Sequence, residues 1–254
     1  HVSLVAYTES NTQFMSMNSW NDVMCELITH HNDTNGIFFD NFIDVTFGVG
    51  RKLCEKYGLL PYTFKWVGII HYPFELSSKL LQDDLFMSSL ENCIGLIVLS
   101  PDLEQKIRLK LPSLRIFSLK HPYPETRLRL MDEKRTNRLI TIGKWYREEL
   151  PSNMNIEVIN QQYTWKEYIR KLHQSVVVIL FKDCVASNVV LDCIIHKCPI
   201  IVNPHPSIVY YLGENYPLYL DEDRFFKKNI LHLASDVHVS KAIAYLSNIS
   251  VKDL

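Results

Sequence analysis

Two uninterrupted apolar runs constrain this chain most: IGLIVLS at residues 94–100 and VVVILF at residues 176–181. A strand with one wet face alternates apolar and polar residues. A run without a polar break belongs to a strand covered on both faces, the signature of a parallel sheet flanked by helices. Other short β-rich runs (VSLVAY, GIFFDNFI, FKWVGIIHYPF, RIFSLKHP, RLITIGKW, IEVINQQ, PIIVN) alternate with segments of helical spacing. The latter are SWNDVMCELITHH, GVGRKLCEKYG, ELSSKLLQDDLFMSSLENC, SPDLEQKIRLKL, TWKEYIRKLHQS and the tail from residue 224. Alternating β and α elements predict an α/β fold of Rossmann-like parallel sheets.

Residues 122–137, PYPETRLRLMDEKRTN, break the rhythm with charge and two prolines. They read as a linker, at about 123–137, between a Rossmann-like domain at 1–122 and a second at 138–254. Two such domains facing across a cleft would offer ligands the ground outside the carboxyl ends of their strands. Residues just after strands therefore carry the most weight.

Bulk properties exclude several classes. The chain of 254 residues is 47% hydrophobic and 22% charged, enough for a true core. Its net charge is -1, without a basic stripe, so nucleic acid is not the expected partner. No apolar run approaches the ~20 residues that span a bilayer, and no signal peptide opens the chain. A cytoplasmic location is the expectation. The start without Met reads as a fragment of a longer chain, with further domains possible. The six cysteines read as reduced, buried thiols; a zinc site of Cys184, Cys193, Cys198 and His196 lacks CxxC spacing. FGVGRK lacks the third glycine of a dinucleotide fingerprint.

In VASNVVLDCIIHKCPIIVNPHP, at residues 185–206, Asn188, Asp192 and His196 recur every fourth residue through an oily segment. On a helix they form one polar line. A buried unpaired carboxylate is costly, so this line must meet solvent, a partner or a ligand. Ser187 and Asn188 at the helix start would offer free N–H groups suited to phosphate, and Asp192 could accept from a ribose diol. The alternative is an edge helix with a thin wet face.

The stretch FKDCVASNVVLDCIIHKCPIIVNPHPSIVYYLGENYPLY resembles the nucleotide-sugar-binding half of GT-B glycosyltransferases. In that family a helix carries an acidic residue, then a small residue, then G-x-P-[VI]-[VI]; the matching pieces are Asp192-Cys193 and KCPIIVN. The resemblance implies that Ser187 and Asn188 bind the donor diphosphate and Asp192 the ribose. LITIGKWYRE is similar to the first strand and turn of that half, where Gly143 precedes Lys144 and Arg147, candidates to neutralise the leaving diphosphate. Both basic residues could equally be loop surface. Tyr163 could stack on the base, with Gln162 beside it. In the first domain, WVGIIHYPFE places His71 just after a strand, where a near-neutral imidazole can act as general base; Glu75 is the alternative. A hydrogen-bonded structural histidine is the competing reading of His71. His121 and His205 also follow strands.

The expected activity is glycosyl transfer from a nucleotide diphosphate-sugar to a glycan hydroxyl, with no cofactor and no metal. A nucleotide-sugar 2-epimerase shares the architecture and needs no acceptor. A non-catalytic nucleotide-sugar-binding or assembly module is the reading from another class. Cys184 stands eight residues before Asp192, where the retaining branch of the family carries a Glu, which favours that module.

Overall fold

The computed structural model describes residues 36–123, 135–143, 146–159, 163–220 and 227–250, together with Trp20, Val23, Glu26 and Leu27. VSLVAY, His30, His31, Cys25, Lys144 and Gln162 lie outside them. The chain forms two compact units, one running to Pro122 and the other from Tyr123 onward.

The first unit is a four-stranded parallel sheet in the order β1 (Phe38–Asp40), β2 (Trp66–Ile70), β3 (Cys93–Val98), β4 (Ile116–Ser118). Its helices are α1 (Ile43–Thr46), α2 (Arg51–Lys56), α3 (Phe74–Leu80), α4 (Asp84–Ser89) and α5 (Pro101–Lys110). An aromatic core of Phe38, Phe47, Tyr62, Trp66 and Phe86 packs mostly edge to face, with Trp66 fully buried. Trp66 Nε1 still finds an acceptor, the Ser89 carbonyl at 2.7 Å. Ser100 caps α5, accepting from Leu103 N, with Pro101 at the first helical position.

One difference from the sequence expectation is instructive. ELSSKLLQDDLFMSSLENC reads as a single amphipathic helix, yet it is two, because Asp83 turns out of the helix and caps α4 by accepting from Phe86 N at 2.9 Å. An aspartate competes with the backbone for local hydrogen bonds, and here that local bond outweighs continuing apolar periodicity.

The second unit holds another parallel sheet, β5 (Arg138–Ile142), β6 (Glu157–Ile159), β7 (Ser175–Ile179) and β8 (Ile200–Val202), in the spatial order β6-β5-β7-β8. Every residue of β7 and β8 is buried, as expected of strands covered on both faces. The helices are α6 (Trp165–Gln174), α7 (Asn188–Ile195), α8 (Pro206–Leu212), α9 (Lys227–Leu233) and α10 (Asp236–Ser247). A full capping box starts α6: Thr164 accepts from Glu167 N while Glu167 accepts from Thr164 N. Among the described residues no helix is long and apolar enough to cross a membrane.

Candidate functional site

The strand order β6-β5-β7-β8 contains a reversal. The chain leaves β5 toward β6 on one side, then crosses back to place β7 on the other. Between β5 and β7 the loops at the carboxyl ends therefore diverge, which is where open α/β sheets hold ligands. The second unit brings most of the expected donor residues to this edge. Gly143 follows β5, Tyr163 follows β6, Ser187 and Asn188 follow β7, and His205 follows β8.

The turn after β5 bends through left-handed backbone: Gly143 has φ 73° and Tyr146 φ 52°. It then returns alongside the end of β7. Arg147 makes an isolated antiparallel bridge to Phe181, and Glu148 N donates to Leu180 O at 2.8 Å. The Arg147 guanidinium lies 4.1 Å from the Phe181 ring centroid. Its Nε is buried without a hydrogen-bond partner, and burial lowers the guanidinium to about 10, so it stays charged. A cation stacked on a ring and short of an acceptor suits an anionic ligand.

Asn203, just after β8, holds the end of β7 from the other side. Its Oδ1 accepts from Phe181 N at 2.7 Å and its Nδ2 donates to Phe181 O at 3.0 Å. Phe181 is thus fixed from both sides, which fixes the platform under Arg147. His205 Nδ1 accepts from Ser207 N at the start of α8, and its Nε2 lies 3.4 Å from Asp183 Oδ1. Ser187 is the N-cap residue of α7 but makes no side-chain capping bond; Asn188 is half-buried.

Of the polar stripe only Asn188 is partly exposed; Asp192 and His196 are buried. Asp192 is 2% exposed; its Oδ2 accepts from Tyr168 OH at 2.9 Å and its Oδ1 from Tyr123 OH at 3.2 Å. The wet edge-helix expectation is therefore corrected: α7 is buried from Val189 to Ile195, and two tyrosine hydroxyls donate to its carboxylate. His196 is equally buried, beside the rings of Trp165 and His173, with neither ring nitrogen hydrogen-bonded. Tyr163 is half-buried against the core with the Lys171 ammonium 5.2 Å from its ring centroid.

The carboxyl edge of the first unit collects a second cluster. His71 follows β2; its backbone N–H donates to Asp44 Oδ2 at 2.6 Å and its Nε2 donates to Asn41 O at 2.8 Å. A carbonyl can only accept, so Nε2 carries the proton and Nδ1 keeps its lone pair. Burial lowers His71 to about 3, with the Asn41 bond opposing, so the ring is neutral at pH 7; the near-neutral titration expected from its residue type is corrected, and the ring is a weaker base than a free imidazole. Trp20 and Phe42 flank it at 5.3 and 4.3 Å between centroids. His121 is a buried clamp: Nε2 accepts from Trp20 Nε1 and Nδ1 donates to Pro122 O. Glu75 is exposed in the first turn of α3.

Sequence reasoning missed Asp44. It is 3% exposed, its Oδ1 has no partner, and burial lifts it to about 7. The signal was present, because Asp44 directly follows the stretch GIFFDNFI, which reads as strand-like. Phe181, Asn203, Tyr123 and Tyr168 were missed too, since nothing in an isolated aromatic or amide announces its partner. The five described cysteines, Cys54, Cys93, Cys184, Cys193 and Cys198, are free thiols. Among the described residues no group of three or more His, Cys, Asp or Glu is placed to hold a metal ion.

Comparison with solved structures decides the architecture. The chain superposes on TarM of S. aureus in a crystal structure of a point mutant with fondaparinux, alpha-GlcNAc-glycerol and UDP, with TM-score 0.51 and 14% identity. The match covers 74% of this chain and 48% of that one. The fold is GT-B. A second TarM structure matches the same GT-B framework at TM-score 0.50 and 14% identity, over 74% of this chain and 48% of TarM. The chain thus spans about half the length of these GT-B neighbours. No family model and no curated protein matches the sequence.

Proposed function

We propose that the protein is a glycosyltransferase that takes a sugar from a nucleotide diphosphate donor and passes it to a hydroxyl of a glycan. The observation that carries this reading is Arg147: a charged guanidinium on the Phe181 ring, with a buried Nε lacking an acceptor, at the strand-order reversal of a parallel sheet. The diphosphate would lie between Arg147, the Gly143 turn and the start of α7 at Ser187 and Asn188. There backbone N–H groups and the helix dipole add to the positive charge. Lys144 belongs to the same turn in sequence. Charge developing on the leaving diphosphate is then met by fixed cationic and N–H groups, without a metal in the reaction. Tyr163 is proposed to stack on the base and Asp192 to hold the ribose. TarM, similar in fold, is the protein for which a UDP complex is known.

His71 is the proposed base. Its neutral ring is oriented by Asn41 O, so Nδ1 is the nitrogen that would take the acceptor's proton. Glu75 is the alternative. Free thiols agree with a reducing, cytoplasmic compartment. The non-catalytic reading rests on Cys184, a buried thiol raised to about 12 by burial, which offers no acid or nucleophile near the start of α7.

A thermal-shift and calorimetry panel with UDP, GDP, ADP, CMP, dTDP and their sugars tests the donor site, because a ligand of the native state raises the melting temperature by mass action. One selective diphosphate is expected; no response to any would defeat the reading. Given a donor, His71→Ala is expected to abolish transfer while donor binding persists. Binding without turnover in the unaltered protein would favour the assembly module.

A further inference from the structure

The two hydroxyls on Asp192 are not equivalent. Tyr168 is fully buried on α6 and its bond to Oδ2, at 2.9 Å, belongs to the core. Tyr123 is only half-buried and reaches Oδ1 at 3.2 Å, long for a hydroxyl on a carboxylate, where about 2.6 Å is usual. It belongs to the second unit and lies outside any strand or helix. The carboxylate that would grip a ribose is therefore covered by an aromatic hydroxyl, chemically the same kind of donor that a ribose would bring.

We propose that Tyr123 is a self-occupying latch on the donor site: its hydroxyl sits on Asp192 Oδ1 in place of a ribose hydroxyl, and a nucleotide must displace it to bind. This deepens the donor-site reading and rests on it. Tyr168 stays in place throughout, keeping one carboxylate oxygen satisfied, so Asp192 is never stripped of all its donors while the exchange occurs. One hydroxyl replaces another, and the net count of hydrogen bonds on Asp192 is conserved. Binding then loses the Tyr123 bond to Asp192, a modest penalty rather than a block.

The test is calorimetry of the whole chain and of its Tyr123→Phe variant, with the panel's diphosphates and with the 2′,3′-dideoxy analogue of whichever binds, starting from UDP and dideoxy-UDP. Removing the competing hydroxyl should tighten the ribonucleotide by about three- to tenfold, and leave the dideoxy analogue unchanged because it brings no hydroxyl to Oδ1. A Tyr168→Phe variant controls for general loosening and should show no gain. Equal or weaker ribonucleotide binding by Tyr123→Phe overturns the latch while leaving the donor site standing. An equal gain for the dideoxy analogue also overturns it, since the effect would then not be competition for Asp192. No binding of any nucleotide by either protein defeats the donor site and the latch together.

Discussion

The backbone N–H of His71 donates to Asp44 Oδ2 across 2.6 Å, tying the residue after β2 to the helix that follows β1. The two side chains titrate in opposite senses. Burial raises Asp44 to about 7, above its ordinary 3.8, so its contribution to stability is complete below about pH 4 and is lost as pH rises through 7. His71 is lowered to about 3 from 6.5, so its contribution is complete above pH 6.5 and is lost as pH falls toward 3. Between about pH 4 and 6.5 these slopes offset one another. Asp44→Asn removes one of them. Hydrogen exchange in β2 peptides is then expected to show stability of the first unit rising with pH over that window, by up to about 1.4 kcal/mol per pH unit. A variant whose profile follows the unaltered protein would mean that Asp44 is ionised in the fold.

Arg147→Ala should weaken binding of the preferred diphosphate by about ten- to a hundredfold, the worth of one charge-assisted hydrogen-bonding group. Phe181→Leu removes the ring beneath the guanidinium but not the charge, and should cost less, about three- to tenfold. Calorimetry on the folded variants checks both. Equal losses would mean that Phe181 matters for backbone position rather than for stacking.

Tyr168→Phe leaves Asp192 buried with one donor fewer. A buried acceptor deprived of its partner costs about 1–3 kcal/mol, so the second unit should melt several degrees lower. Asp192→Asn should cost less, because the amide oxygen still accepts from one tyrosine. Chemical denaturation resolves the order; a reversed order would mean that both carboxylate oxygens are required as acceptors.

His196 carries two buried nitrogens without partners, so it contributes a desolvation cost that no bond offsets. His196→Leu, similar in volume, should stabilise the protein by about 1 kcal/mol at pH 7. Burial, with His173 adding to it, lowers His196 to about 4 from 6.5, so the native stability it permits is full above pH 6.5 and falls as pH drops toward 4. The leucine variant should therefore gain most near pH 4–5. Melting curves across that range check it, and a destabilised variant would reveal an ordered water on the ring.

The parallel sheets were legible because continuous apolar runs have few other homes: VVVILF became β7 and its extension, and IGLIVLS became most of β3 and its flank. Gly143, Ser187 and His71 do follow strands, as their sequence context implied. Arg147 was named from its turn, but the ring under it was not, because Phe181 lies in another loop and only folding brings them together. The polar stripe on α7 was visible, yet its partners Tyr123 and Tyr168 stand 69 and 24 residues from Asp192. Spacing shows that a buried carboxylate needs partners and is silent on which ones supply them. Asp83 shows the opposite failure, a purely local bond that overruled a periodic pattern.

The thiols offer a built-in stopwatch. Cys54 and Cys93, half-buried, belong to the first unit, whereas Cys184, Cys193 and Cys198 are buried in the second. Because an alkylating reagent reaches a buried sulfur only during transient opening, the rate at which each cysteine is modified reads how often its own neighbourhood breathes. The chain thus carries, without any engineered label, separate timers for its two halves, able to report which half a bound nucleotide quiets.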